Sequence, residues 1–281
     1  MKIFATITVI GRDKTGVVAA ITSFLFEQKG NIEALEEQVT RGQFSMTIQV
    51  SWKPIDCSRV KLLDGLEAIG RKLQMEMAIR FTQPGVRQRM AVFVTREDHC
   101  LKSLLENVKS GRLKAEVAVI VSNRGNLKSI AKEHNIPFRV LDWTDRATAE
   151  NKALALLDKF GADFVVLARF MKILSPNFVW RFKNKIINVH PSLLPSFPGP
   201  QAYRQAYEHG VKVAGVTAHF VSMQLDEGPI IVQKSFAIRP SMSLAEIVWA
   251  GQKLEAVALV KAVRLYLSKR LDVYWGVVRE I

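Results

Sequence analysis

The sequence has only two cysteines, Cys57 and Cys100, in 281 residues. They lie far apart, which argues against a disulfide-stapled scaffold and makes a reducing, cytoplasmic setting the expectation. No run approaches the ~18 uninterrupted apolar residues of a membrane span. Residues 1–10 alternate rather than forming a solid apolar stretch, and Arg12 and Asp13 follow at once, so no secretory leader is read there. There is no Arg/Lys-rich arm, no zinc-finger spacing and no aromatic–basic repeat. Lys and Arg outnumber Asp and Glu by 40 to 26, a net charge of +14, but the cations are scattered. A basic solvated surface is expected, and a nucleic-acid partner is not. His99, His134, His190, His209 and His219 show no ligand spacing with cysteine or acids, so no metal is expected.

What is present is an ordinary globular composition, 48% hydrophobic and 23% charged, in a chain long enough for two domains. Residues 2–10 alternate and are rich in β-branched types, which predicts a strand. A turn at 11–16 follows, then Val17, Val18, Ile21, Phe24 and Leu25 at helical spacing. Strands are predicted at 31–39 and 44–52, joined by a turn at Arg41-Gly42. A helix is expected over 56–73, with Val60, Leu63, Leu66, Ile69 and Leu73 on one face, and a strand over 75–81. The order βαββαβ is the ferredoxin-like, split-βαβ pattern. Residues 83–89, broken by Pro84-Gly85, read as a linker, so the domains are expected at 1–84 and 85–281.

The rhythm then changes to strands alternating with helices: strands at 90–95, 115–122, 138–141, 163–168, 186–189, 211–221 and 230–238, and a long helix at 243–269. This implies a doubly wound, mainly parallel α/β sheet, with ligands at the carboxyl ends of its strands. Residues 270–281 are expected to add an edge strand. Asn188 and His190 sit at one such end. Their spacing of two on an extended chain points both side chains to one face. Asp226 follows a second β-rich segment, in a turn. An amide donor, an imidazole and a carboxylate suit acyl chemistry if they converge; taken alone, such a trio equally describes a surface loop.

Residues 1–84 resemble an ACT domain, through the first strand, the turn Asp13-Lys14-Thr15-Gly16 and the helix after it. That resemblance implies a dimer or a dimer of dimers, with a possible amino-acid effector near Asp13 and Gly16. A glycine there would let a backbone approach a small ligand closely, and helix N–H groups favour a carboxylate. A pairing module without ligand is the alternative.

Three segments of the second domain together resemble the formyltetrahydrofolate transferase and hydrolase family. They are Arg169-Phe170-Met171-Lys172-Ile173-Leu174-Ser175-Pro176, Asn188-Val189-His190-Pro191-Ser192-Leu193-Leu194-Pro195, and Thr217-Ala218-His219 through Leu225-Asp226-Glu227-Gly228-Pro229. The resemblance implies a formyltransferase-type fold, catalytic Asn188, His190 and Asp226, and a folate pocket at Met171, Lys172, Ile173 and Leu174. Thr217 and His219 are carried over as substrate-binding positions beside the acid, with an indirect role for His219 equally open. No cofactor is implied, because the folate is the substrate.

Glycinamide ribonucleotide transformylases carry a Gly-Ser-Asn phosphate loop after the first strand of this domain. Here the strand is followed by Arg96-Glu97-Asp98-His99-Cys100-Leu101, without glycine and with two acids that would repel phosphate. This turn, the two-domain layout and the ending at 270–274 resemble the formyltetrahydrofolate deformylases. That resemblance implies hydrolysis of 10-formyltetrahydrofolate to tetrahydrofolate and formate, a supply of formate for purine synthesis. His190-Pro191-Ser192 departs from the deformylase pattern and matches the transformylases, so transfer to an amine remains the alternative. A non-catalytic sensor is the second. Cys100 near a helix start could be a nucleophile, but a partly buried packing cysteine is the preferred reading.

Overall fold

The computed structural model describes residues 2–40, 42–82, 86–274 and 276–280. Chain contacts divide it into two compact units, Met1–Val86 and Arg87–Ile281. Gln83, Pro84 and Gly85 of the expected linker, and Arg41 of the expected turn, lie outside the described residues.

The first unit runs β1 (Ile3–Arg12), α1 (Val17–Glu27), β2 (Asn31–Thr40), β3 (Gln43–Trp52), α2 (Arg59–Leu73) and β4 (Met75–Thr82). Its sheet has the order β2-β3-β1-β4, with every pairing antiparallel. Alternation in β1 turns Ala5, Ile7 and Val9 inward, where they meet Met46, Ile48 and Val50 of β3 and Ile21, Leu25, Leu62 and Leu66 of the two helices. Each full burial of a larger apolar side chain is worth roughly 1.5–3 kcal/mol. The predicted face of α2 needs correction: Leu62, Leu66 and Gly70 are buried, while Val60 and Leu63 are 67% and 51% exposed. Leu62 and Leu63 are adjacent, so helical spacing alone admits two faces; packing against β4 selects the one on which Gly70 can approach the Met75 carbonyl.

The second unit runs β5 (Gln88–Val94), α3 (His99–Lys109), β6 (Ala115–Ser122), α4 (Lys128–Glu133), β7 (Phe138–Val140), α5 (Arg146–Lys159), β8 (Phe164–Ala168), α6 (Pro176–Arg181), β9 (Ile186–His190), α7 (Ala202–Glu208), β10 (Val213–Phe220), β11 (Ile230–Ala237) and α8 (Leu244–Leu267), then β12 (Leu271–Tyr274) and β13 (Val277–Glu280). Seven strands form one sheet in the order β11-β10-β9-β8-β5-β6-β7. The five from β9 to β7 are parallel, and β10 and β11 are antiparallel. The strands are apolar on both faces because helices cover both. Met90, Val92 and Val94 face α3 and α8, whereas Ala91 and Phe93 face α5 and α6.

Two sequence expectations are revised. Gln88 and Arg89 belong to β5 rather than to a linker: the Arg89 backbone N–H donates to Asp163 at 2.7 Å and its guanidinium to Glu116 at 2.9 Å. The last residues pair with each other as a β12–β13 hairpin instead of extending the sheet. Among the described residues, no helix is long and apolar enough to cross a membrane.

Candidate active site

The chain builds β5, β6 and β7 outward to one side, then returns to place β8 and β9 on the other side of β5. A crevice opens at the carboxyl ends where strand order reverses this way. A cavity of about 580 Å³ lies there, lined by Met171–Leu174, Asn188–Pro191, His219, Val221–Asp226, and a far group including Glu97, Arg169 and Tyr203. That volume falls in the roughly 300–1,000 Å³ range of small-molecule sites.

Asn188 and His190 end β9. The antiparallel partner β10 sets His219 directly opposite Asn188 and Thr217 opposite His190. The segment 221–229 then returns Asp226 to the same place. Its return is tight: the Phe220 N–H donates to the Pro229 carbonyl at 2.9 Å. A Cβ on Gly228 would lie 1.7 Å from the Phe220 carbonyl oxygen, so only glycine fits. Asp226 itself adopts φ 58°, a left-handed conformation that aspartate tolerates better than most residues.

His190 Nδ1 lies 3.3 Å from Asp226 Oδ2, and its Nε2 lies 3.0 Å from the Phe197 carbonyl. The Phe197 carbonyl can only accept, so Nε2 is the donor there, while Nδ1 stands close to Asp226 without an aligned hydrogen bond. Asp226 Oδ2 also receives the Gly199 N–H at 2.9 Å. Oδ1 stands 3.9 Å from His219 Nε2, beyond hydrogen-bond reach, and remains the open acceptor edge.

His219 behaves differently. Its Nδ1 is 2.8 Å from the Phe220 carbonyl, so that nitrogen holds the proton. Burial pushes its pKa down, against the Phe220 hydrogen bond and Asp226, which leaves it neutral with Nε2 as an acceptor. Asn188 Nδ2, at 3.2 Å, is the donor that fits. One amide hydrogen is thereby fixed, and the other is left for the cavity.

The segment Met171–Leu174 is held at both ends. Its first N–H, of Met171, donates to Thr95 Oγ1 at 3.0 Å, and Thr95 donates to Asn123 at 2.9 Å. Beyond it, the Ser175 N–H donates to the buried Glu150 at 2.6 Å; the Ser175 hydroxyl donates to the same carboxylate. Met171 and Ile173 are 56% and 60% exposed, presenting apolar surface at the cavity.

A second polar group forms the far wall. Glu255, on α8, is wholly buried. It receives Tyr203 OH at 2.7 Å and faces His99 Nε2 at 3.0 Å. Arg169 Nε is 3.3 Å away, an ion-pair contact too poorly aligned for a hydrogen bond. Burial opposes the Glu255 charge, but His99, Arg169 and Tyr203 together outweigh it and hold the carboxyl below its usual range. Beside them, Gln252 donates to Glu97 at 3.2 Å.

The histidines show no ligand spacing in the sequence, yet the fold brings the ligating atoms of His99, Cys100 and Glu255 within 4.8 Å of one another. Glu255 is 156 residues from His99, which spacing rules cannot see. The set fits a metal poorly. Burial, then the Glu255 charge, push the Cys100 thiol well up, away from the thiolate a metal needs, and Glu255 is already engaged by Tyr203, His99 and the nearby Arg169.

Thus Asn188, His190, Asp226 and His219 converge, and Met171, Lys172, Ile173 and Leu174 line the same cavity. Thr217 does not. It is fully buried, donates to the Ser192 carbonyl at 2.7 Å, and accepts from Leu194 N–H and Gln233, each at 3.0 Å. The expectation that it contacts substrate is replaced by a brace under residues 192–194. Asp13 and Gly16 are exposed in the first unit, with Gly16 at φ 85° capping α1. Sequence reasoning missed Arg169, Tyr203 and Glu255. One signal was present: Glu255 interrupts a buried stripe of Ile247, Gly251, Ala258 and Ala262, and an acid inside an apolar stripe requires partners.

Residues 88–263 match the formyl transferase family and residues 4–81 the ACT domain family. A formyltetrahydrofolate deformylase of Synechocystis sp. is 38% identical, over 96% of this chain and 95% of its own length. The crystal structure of a formyltetrahydrofolate deformylase from Burkholderia mallei superposes with a TM-score of 0.67 at 30% identity, covering 99% of both chains. Glycinamide ribonucleotide transformylase 1 from Symbiobacterium toebii reaches 0.68 at 32% identity, but over 72% of this chain and 96% of its own. Both units are therefore shared with the deformylases, and this chain belongs to the formyltetrahydrofolate deformylase family.

Proposed function

We propose that the chain hydrolyses 10-formyltetrahydrofolate to tetrahydrofolate and formate at the ends of β8 and β9. The observation that carries this reading is the His190–Asp226 pair at 3.3 Å, beside Asn188 in a cavity of about 580 Å³. In this reading the folate lies along Met171–Leu174 with its formyl group toward Asn188. Water attacks the formyl carbon and gives its proton to Asp226 Oδ1. The growing oxyanion receives the remaining amide hydrogen of Asn188; one such donor is typically worth about 3–4 kcal/mol of barrier. His190 lies beside that charge, and its Nε2–H, on leaving the Phe197 carbonyl, supplies the proton that N10 needs as the C–N bond breaks. The residues suffice for this sequence without a cofactor.

Water rather than an amine is favoured because the loop after β5 has no glycine and places Glu97, an acid, on the cavity wall. The test is formate release from 10-formyltetrahydrofolate with no acceptor added. Turnover that appears only when an amine is supplied would establish the transferase instead; no turnover under either condition would leave a sensor. We read the first unit as regulatory, with a small amino acid at the Asp13–Gly16 turn and pairing of chains. Thermal shift against the amino acids and mass in solution test those two points.

A further inference from the structure

The backbone at Arg169 does not ask for arginine. Its φ of 61° is in the left-handed region, where glycine is the favoured residue. The position nonetheless carries a long cation, and that cation lines the cavity. The surroundings are built to hold it. Glu255, wholly buried, lies 3.3 Å from its Nε. His99 shares that Glu255 oxygen at 3.0 Å, and Tyr203 donates to the other at 2.7 Å. Gly251, one turn before Glu255 on α8, makes room for Tyr203: a Cβ there would lie 2.1 Å from the tyrosine oxygen.

Sheet order places this assembly. β9, β8 and β5 are neighbours, so His190, Arg169 and the Thr95–Glu97 turn follow one another along the strand ends, about 5 Å per step. The loop bearing Asp226 leaves β10, on the opposite side of β9. Arg169 therefore flanks His190 on the side away from Asp226, toward the turn that follows β5.

We infer that Arg169, locked by Glu255, is the specificity determinant that fills the acceptor side of the cavity and leaves room at the formyl carbon for water alone. This rests on the hydrolase reading above. If that side were open, the nitrogen of an amine would bond to the formyl carbon, the C–N10 bond would break, and N10 would take the proton given up by the amine. The formyl group would pass on intact, with no oxidant or reductant required.

The experiment uses the full chain with Arg169→Gly, which suits the backbone conformation and removes the side chain. 10-Formyltetrahydrofolate is supplied with excess glycinamide, and formate and N-formylglycinamide are quantified by mass spectrometry. The wild type is expected to yield formate alone. The variant is expected to yield N-formylglycinamide at about a tenth of its formate or more, and His190→Ala in the same background should abolish both products. A ratio equal to wild type in a folded variant overturns the inference. So does a folded variant that makes neither product, since Arg169 would then act in the chemistry itself. If circular dichroism shows that the glycine variant does not fold, Arg169→Asn replaces it, because asparagine tolerates the left-handed region, and the same ratio decides. Formate release by the wild type without amine is read separately, so failure of the hydrolase reading is not confused with failure of the plug.

Discussion

Two histidine–carboxylate pairs stand at the same strand ends: His190 with Asp226 at 3.3 Å and His99 with Glu255 at 3.0 Å. In residue types they are alike. They differ in what remains open. Asp226 takes one hydrogen bond among the described residues, from the Gly199 N–H to Oδ2, and His219 stands 3.9 Å from Oδ1, so Oδ1 has acceptor capacity to spare. The Glu255 oxygens are taken by Tyr203 on one side and by His99 and Arg169 on the other, with no exposure. A pair with unfilled hydrogen-bonding capacity can do chemistry on a ligand; a saturated one can only hold its neighbours. Reactivity here follows from the vacant acceptor, not from the trio of residue types.

The strongest way to break the comparison is to remove the open pair. His190→Ala or Asp226→Asn is expected to lower kcat for formate release by about 10²–10⁴ with an unchanged circular dichroism spectrum. Asn188→Ala should follow at about 10²–10³ in kcat, with a smaller change in KM, since the lost donor acts mainly on the developing oxyanion. Glu255→Gln probes the saturated pair. Breaking a buried ion pair costs about 3–5 kcal/mol, so the melting temperature should fall clearly, while kcat measured below the melt stays within about tenfold of wild type. A thousandfold loss of kcat there would mean that the two pairs are not distinct in kind. The smallest effect is in pH dependence. The buried His219 has its pKa lowered from 6.5, so below that value the unfolded chain takes up a proton that the folded chain resists. Stability should fall as pH drops through and below about 6.5, with a slope of at most ~1.4 kcal/mol per pH unit. Thermal melts from pH 8 to 5 should show a flatter slope for His219→Gln.

Much of this was legible in the sequence. A period-two run located β1, and alternation of strands with helices gave the doubly wound architecture. Asn188 and His190 were visible because they share one strand at a spacing of two, and Asp226 because a recognisable segment carries it. Thr217 was misplaced because sequence shows that it shares a face of β10 with His219 but not that the backbone of residues 192–194 covers it. Glu255 and Arg169 were missed for the opposite reason: their partners, His99 and Tyr203, come from distant elements, and only the folded sheet brings them together. The faces of α2 could not be separated because Leu62 and Leu63 satisfy helical spacing equally well.

The antiparallel joint between β9 and β10 has a wider consequence. Asn188 and His219 face each other because of the ladder His219↔Asn188 and Thr217↔His190, not because either side chain selects the other. Slipping that ladder by one residue would turn every side chain on β10 to the opposite face. Thr217 would leave its brace and His219 would leave Asn188 in the same event. Turnover is therefore a gauge of strand alignment: during refolding, formate release should recover only when this joint has found its register, however much of the parallel sheet has already formed.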